Sequence, residues 1–333
     1  MKDPSHIFRA YTNIALIKYW GKRNETLFLP VTSSLSLTLN EFYTETQVRW
    51  NESSSEDVLL LNGELQPIDR VQRLIDLFRE LTHCSRPVRV ESYNHVPTAA
   101  GLASSASAFA ALACACNDLF DTQMDARELS TYARQGSGSA TRSLFGGFVK
   151  WEAGQGDVSE TSYAHPIDKA DWDLGMIAVV LNDQEKSISS REGMALTVRT
   201  SPFFKLWPEV VAHDLDLIET AIAQRDFTTL GEVAEHNAME MHALMLSSKP
   251  SYTYFQAESL KIMDCIRQLR QQGIECYFTM DAGPNIKVIC RLSQADRIQQ
   301  LLMQAAGVTE SQLIISGPGP APHTVPSFTP FSN

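Results

Sequence analysis

Some stretches of this chain combine residue types with a spacing that chemistry can use. PTAAGLASSAS at 97–107 sets Gly101 and the hydroxyls of Ser104, Ser105 and Ser107 between a strand-like run and an apolar helical run. A helix start leaves about four backbone N–H groups unpaired and carries partial positive charge. With a glycine for close approach, such a loop can cradle phosphate without net positive charge. A plain serine-capped helix uses the same residues, and no Gly-Lys-Ser/Thr follows to make a Walker loop. GSGSATRS at 136–143 offers Ser137, Ser139 and Arg142 around glycines. It follows a helical pattern and precedes a strand, the reverse of the dinucleotide-binding order, and it lacks the third glycine. Arginine can grip a carboxylate or phosphate with two parallel hydrogen bonds, so this loop is either an anion site or a connector.

NIALIKYWGKR at 13–23 ends an apolar run on Lys18, with Lys22 just beyond. Lys18 either faces an anion from a partly desolvated strand end or snorkels to water. MDAGPNIK at 280–287 sets Asp281 at a strand end before a tight turn, where a turn aspartate is equally at home. Glu232, His236 and Glu240 recur at four-residue spacing and could ligate a metal, but a solvated helix face explains them better. Cys114 and Cys116 point to different sides of one helix and read as packing.

These residues must be held by a framework large enough to bury them. The chain has 333 residues, 44% hydrophobic and 20% charged, which excludes disorder and predicts two domains. Its net charge of −11 argues against nucleic acid or an anionic membrane as partner, so anions must bind in a local pocket. The six cysteines form no CxxC pair, and the start, MKDPSHIFRAY, has no apolar core for a secretory leader; both point to the cytoplasm. Residues 96–117 carry no charge, yet their first half is too polar to cross a bilayer.

Alternation predicts strands over 34–40 and 42–50, a run ended by Asn62-Gly63 predicts one at 58–61, and further strands are read at 88–92 and, after two glycines, at 148–151; helical spacing predicts a helix over 71–81, and helices are read at 105–119 and 126–135. The second half reads as helices at 204–224, 228–246, 257–272 and 293–306, the last capped by Ser293 and ended by Gly307. Strands are predicted at 176–181, 275–280, 287–291 and 313–316. Strands clustered apart from helices predict an α+β fold. We place the domain boundary at 173/174, giving domains 1–173 and 174–333, and expect the GPGPAPH tail from 317 to be loose.

Taken together, NIALIKYWGKR, ESYNHVPTAAGLASSASA at 91–108, GSGSATRSLFGGFVKW at 136–151, SSREGM at 189–194, MDAGPNIK and the terminal SGPGP at 316–320 resemble the mevalonate diphosphate decarboxylases of the GHMP kinase superfamily. The motifs run in family order over essentially the whole chain. The resemblance implies a two-lobed α+β fold, with a ribosomal-protein-S5-domain-2-like first domain and a ferredoxin-like-derived second domain around one cleft. It implies ATP-dependent decarboxylation of (R)-mevalonate 5-diphosphate to isopentenyl diphosphate, ADP, phosphate and CO2, through 3-phosphorylation. A GHMP-type kinase that stops at phosphorylation, a relative with a different mevalonate substrate, and a non-catalytic regulatory homologue are the alternatives.

By the same resemblance Asp281, Lys18 and Arg142 are catalytic, with Asp281 at the C3 hydroxyl as base or orienting group and Arg142 near the substrate carboxylate. Tyr19, Trp20, Gly21, Lys22, Ser137, Gly138, Ser139, Ala140, Thr141, Ser190 and Arg191 would line the substrate pocket, and Arg70 is a further candidate. Ser92, Asn94, Pro97, Gly101, Leu102, Ala103, Ser104, Ser105, Ser107 and Lys186 would hold ATP. Mg²⁺ would be bound mainly through the ATP phosphates rather than by dedicated protein ligands. The family also implies a homodimer.

Overall fold

The computed structural model describes residues 6–96, 104–181 and 188–330. The first lobe is built from β1 (Ile7–Ile17), β2 (Lys22–Asn24), β3 (Leu29–Pro30), β4 (Ser34–Trp50), β5 (Val58–Leu61), β6 (Glu64–Gln66), α1 (Asp69–Thr82), β7 (Val88–His95), α2 (Ser104–Leu119), α3 (Ala126–Gly136), β8 (Phe148–Trp151) and β9 (Ala164–Asp168). The second comprises β10 (Gly175–Val179), α4 (Ser190–Thr200), α5 (Trp207–Gln224), α6 (Phe227–Leu246), α7 (Ala257–Gln271), β11 (Cys276–Met280), β12 (Ile286–Cys290), α8 (Ala295–Ala306) and β13 (Leu313–Ser316). The chain then returns to the first lobe as β14 (His323–Val325).

The larger sheet runs β14-β1-β4-β7-β5-β6, with β8 pairing the start of β4 and β9 beyond it. Only β5 and β7 pair in parallel among these strands. The smaller antiparallel sheet runs β11-β12-β10-β13. α2 lies against β1 and β4, and its buried face is mostly alanine, so its backbone sits close to the sheet. That small-residue face accounts for the lack of charge over residues 104–117, and no helix among the described residues is long and apolar enough to cross a membrane. α1 turns Leu74, Ile75 and Phe78 inward, as its helical spacing predicts.

A single buried cluster runs through both lobes. It joins Ile14, Leu16, Leu35 and Leu37 of the first to Ile218, Phe227, Met241 and Phe278 of the second. The two sheets therefore share a core, which fixes the ends of β1 and β11 relative to one another.

Four details depart from the sequence reading. The two strands expected over 34–40 and 42–50 are one, β4; its pairing with β1 slips between Tyr11↔Tyr43 and Asn13↔Thr38. The exposed Asn40 and Glu41 that break the alternation sit at that slip. Ser293 does not cap α8: its N–H and hydroxyl donate to Asp173 at 2.9 and 2.6 Å, a charge-assisted pairing, and the helix begins two residues later. α4, not read from the sequence, starts with a reciprocal capping box between Ser189 and Glu192. The tail is pinned rather than loose. β14 pairs with β1, and the Gly319 N–H donates to the Thr38 carbonyl at 2.7 Å. Gly319 permits this, because a Cβ there would lie 2.7 Å from the Leu39 backbone.

Candidate active site

The end of β1 and the end of β11 meet, bringing together residues 263 apart in sequence. Lys18 Nζ donates to Asp281 Oδ1 at 2.7 Å and to the Ala15 carbonyl at 2.8 Å. Lys287, from β12, places its Nζ 3.3 Å from the other oxygen, Asp281 Oδ2. Both lysine side chains are 1% exposed, whereas Asp281 keeps 26% of its side chain open, so the carboxylate is the reachable part of a buried cluster. Burial alone would raise the Asp281 carboxyl; Lys18 and then Lys287 overcome it and hold the group well below the usual carboxylate range. Burial lowers Lys18, against the pull of Asp281.

The turn after Asp281 is braced on both sides. The Leu181 N–H donates to Asn285 Oδ1 at 2.7 Å, and Ser259 Oγ donates to the Pro284 carbonyl at 2.7 Å. Lys18 is braced from the second lobe: its N–H donates to Asn237 Oδ1 at 2.8 Å, and Asn237 Nδ2 donates to Asp214 Oδ2 at 2.8 Å. Asp214 thereby fixes which way the Asn237 amide faces.

Arg142 sits in the turn of 3₁₀ helix Gly138–Leu144 and is 2% exposed. Its Nε donates to Asn13 Oδ1 at 3.1 Å and its Nη1 to Ser34 Oγ at 2.7 Å. Burial pushes its guanidinium down to about 10 while Asp281 pulls the other way, so it stays charged at neutral pH within the field of that carboxylate. Asn13 Nδ2 in turn donates to the Ser139 carbonyl at 2.9 Å, which ties the loop to β1.

The remaining candidates for the substrate pocket surround this centre. The Tyr19 ring lies 4.7 Å from Trp151 and packs on the bare backbone of Gly138. Among the described residues the buried Tyr19 hydroxyl, the Trp20 indole N–H and the Thr141 hydroxyl have no hydrogen-bond partner. Ala140 is buried in the same turn. Gly21, at φ +107°, turns the chain toward Lys22, whose Nζ lies 4.0 Å from the Phe28 ring centre and 3.0 Å from Glu25 Oε2. Arg191, at the exposed start of α4 beside Ser190, sits over the same ring at 5.6 Å. Arg70 is exposed on α1; Arg73, three residues on, is the one that reaches Phe28, at 4.9 Å. Three cations thus converge on one aromatic ring.

At the start of α2, Ser137 Oγ donates to Ser105 Oγ at 3.2 Å and lies 3.3 Å from Ser139 Oγ, which joins the arginine loop to that helix. Ser104 and Ser105 are exposed there. Ser107 instead faces inward: its hydroxyl meets Thr44 Oγ1 at 2.8 Å and the Ser104 carbonyl at 3.2 Å. Thr44 also donates to Asn94 Oδ1 at 3.0 Å, and Ser92 pairs with Thr46 at 2.8 Å, so these side chains are tied to the sheet. Pro97, Gly101, Leu102, Ala103 and Lys186 lie outside the described residues.

Sequence reasoning missed Lys287, Asn237, Asn13, Arg73 and His242. Lys287 left a signal, being the lone charged residue in an otherwise apolar, buried strand. His242 is 1% exposed beside this cluster; burial and then Lys18 push it down to about 4, so it is neutral at pH 7.

Behind Asn237, burial and then Asp214 push the Glu240 carboxyl up to about 8 from its ordinary 4.5. A raised carboxyl stabilises the fold least once its unfolded counterpart has ionised, so stability falls as pH rises from about 4.5 toward 8. Glu240→Gln keeps an N–H for Asp214 and removes that loss. We expect it to stabilise by about 1–2 kcal/mol at pH 8, after allowing for solvent screening, and not at pH 4.5. Thermal midpoints at the two pH values measure it; an equal shift at both contradicts the assignment. Among the described residues no three His, Cys, Asp or Glu side chains are arranged to hold a metal, the stripe of Glu232, His236 and Glu240 included.

A two-lobed α+β fold of the GHMP kinase type, closing on buried cations around one reachable carboxylate, defines an enzyme for small anionic substrates. Residues 10–164 match the family described as "Diphosphomevalonate decarboxylase-like N-terminal domain" and residues 176–320 match "Mevalonate 5-diphosphate decarboxylase C-terminal domain". The diphosphomevalonate decarboxylase of Candida albicans is 37% identical over 90% of this chain and 87% of its own. A structure of the Staphylococcus aureus mevalonate diphosphate decarboxylase superposes with a TM-score of 0.92 at 43% identity, covering 97% of this chain and 98% of that one. A protein described as MDDEF, solved with MVAPP, AMPPCP and magnesium, gives a TM-score of 0.91 at 46% identity, over 97% and 99% of the two chains. The chain belongs to the diphosphomevalonate decarboxylase family.

Proposed function

We propose that this protein catalyses the ATP-dependent decarboxylation of (R)-mevalonate 5-diphosphate to isopentenyl diphosphate, ADP, phosphate and CO2, a step of the mevalonate pathway. The observation that carries this reading is the ionised, partly open Asp281 carboxylate gripped by the buried Lys18 at 2.7 Å.

The tertiary C3 hydroxyl is a poor nucleophile until its proton is drawn off. Asp281 accepts that hydrogen bond and aims the oxygen at the γ-phosphoryl group of ATP. Lys18 keeps Asp281 ionised and offsets the charge of the transferring group. The C3–O bond then breaks with its electron pair leaving on phosphate, and the substrate carboxylate departs as CO2, its C–C pair becoming the new double bond. Arg142, rigid between Asn13 and Ser34, orients that carboxylate. The unpartnered Tyr19, Trp20 and Thr141 donors suit substrate oxygens, since a buried polar group left unpaired costs about 1–3 kcal/mol. Lys22 and Arg191 suit the diphosphate, with Ser137, Ser139 and Ser190 beside it; Ser104 and Ser105 suit the ATP phosphates.

ATP, the diphosphate and the carboxylate together bring roughly eight negative charges, which demands local cations despite the acidic exterior. The pocket's own donors are ammonium, guanidinium and hydroxyl groups, so Mg²⁺ would be held through the ATP phosphates, whose charge it would offset. We also assign the protein to the cytoplasm as a homodimer of two-domain chains divided at 173/174, on the strength of its motifs and cysteine usage.

Incubation with ATP, Mg²⁺ and, separately, mevalonate, its 5-phosphate and its 5-diphosphate tests the reaction. We expect CO2 and isopentenyl diphosphate from the diphosphate alone. A stable 3-phosphate without CO2 would make the protein a kinase, and turnover of another acceptor would move the substrate.

A further inference from the structure

The proposed chemistry gives Asp281 one cation, Lys18, yet the geometry supplies two. Lys287 lies in β12, between β11 and β10 at the centre of the smaller sheet, in the otherwise apolar run Ile286–Cys290. A lysine in such a place loses nearly all its hydration, a cost that persists only where a specific partner repays it. Its Nζ lies 3.3 Å from Asp281 Oδ2 and donates to the Asn285 carbonyl at 3.3 Å, so one side chain spans the turn from Asp281 to Asn285.

We propose that Lys287 is a positioning residue for the reaction, acting through Asp281 by holding the second carboxylate oxygen while Lys18 holds the first. The torsion that rotates an aspartate carboxylate is soft and nearly two-fold. A single ammonium leaves the plane free to swing about the gripped oxygen. Two ammonium groups, one per oxygen and from different strands, fix the plane, and each oxygen retains a lone-pair site for a substrate hydroxyl. The hydroxyl then meets an acceptor already in line with the phosphoryl group, where small misplacements cost large factors in rate. Arg142 and the neutral His242 complete the surroundings of Asp281 but contribute no ammonium to it.

The inference rests on the proposed reaction, so wild-type turnover of the 5-diphosphate is measured alongside; its absence would sink the reaction itself. Lys287→Met keeps the length and removes the charge, and Lys287→Arg keeps the charge. We expect Lys287→Met to lower kcat about 30- to 300-fold with KM for both substrates within about threefold, the pattern of a lost transition-state contribution. Lys287→Arg should recover at least a tenth of the wild-type kcat. Thermal midpoints are taken on every variant, and Lys287→Gln replaces Lys287→Met under the same criteria should the latter not fold. A kcat within threefold of wild type in the neutral variant overturns the proposal. So does a loss that comes with a tenfold rise in KM and a collapsed midpoint and that arginine does not rescue, since that is what a turn tether alone would produce.

Discussion

Asp281→Ala should lower kcat by about three to five orders of magnitude while KM for ATP and for the 5-diphosphate changes by no more than about fivefold. The carboxylate contributes little to binding anions, which it repels, and most where a proton leaves the C3 hydroxyl and the oxygen takes up phosphorus. The same substitution strands two buried ammonium groups, Lys18 and Lys287, without their counter-ion. Removing one partner of a buried pair costs about 3–5 kcal/mol, so Asp281→Asn, which keeps the shape and an acceptor oxygen, is measured beside it. If both fold and both lose turnover, as rapid-quench detection of ADP would record, the charge is what matters. Substantial turnover in either removes Asp281 from the chemistry. Because Lys18 and Lys287 hold its folded-state carboxyl below the usual range, its contribution to stability is present above the unfolded value of 3.8 and is lost as pH falls below it.

Arg142→Gln is expected to reduce kcat/KM for the 5-diphosphate by about 10²–10³, with the loss divided between a higher KM and a lower kcat. The guanidinium is bound to Asn13 Oδ1 and Ser34 Oγ, so it presents its remaining donors from a fixed frame. Glutamine reaches less far and is neutral, so it gives up both the grip on a carboxylate and the positive charge that offsets it before CO2 leaves. Arg142→Lys should fail nearly as badly, because an ammonium cannot match the planar two-point geometry. Steady-state kinetics on the pure diphosphate substrate decide this, and a change confined to KM for ATP would place Arg142 on the nucleotide instead.

Much of this architecture is readable from local pattern. Alternation in β4, the apolar run ending β1, the 3.6-residue period of α1 and the glycine ending α8 each reflect one element meeting one core. Lys18, Arg142 and Asp281 were legible too, because each ends a buried run or sits in a glycine loop and the surrounding motifs resemble one family. What escaped is long-range. Asn237 looks like an ordinary position on α6 until the fold brings it to the Lys18 N–H, 219 residues away. Lys287 is unremarkable in sequence beyond its apolar neighbours; only the antiparallel register of β11 and β12, Thr279↔Lys287, turns it toward Asp281. Ser293 has the type and place of a cap, but Asp173 from another part of the chain is the stronger acceptor.

The pairing of Ile7 with Val325 and of Arg9 with His323 has a consequence for synthesis. β1 is the first strand of the larger sheet in chain order, yet one of its two neighbours, β14, follows the whole second lobe. While the ribosome is still making the second lobe, the first carries an uncovered row of backbone donors and acceptors along β1, open to strand exchange with other nascent chains. Folding of the first lobe is therefore completed only after the second lobe has been made, and its late partner serves as a clasp.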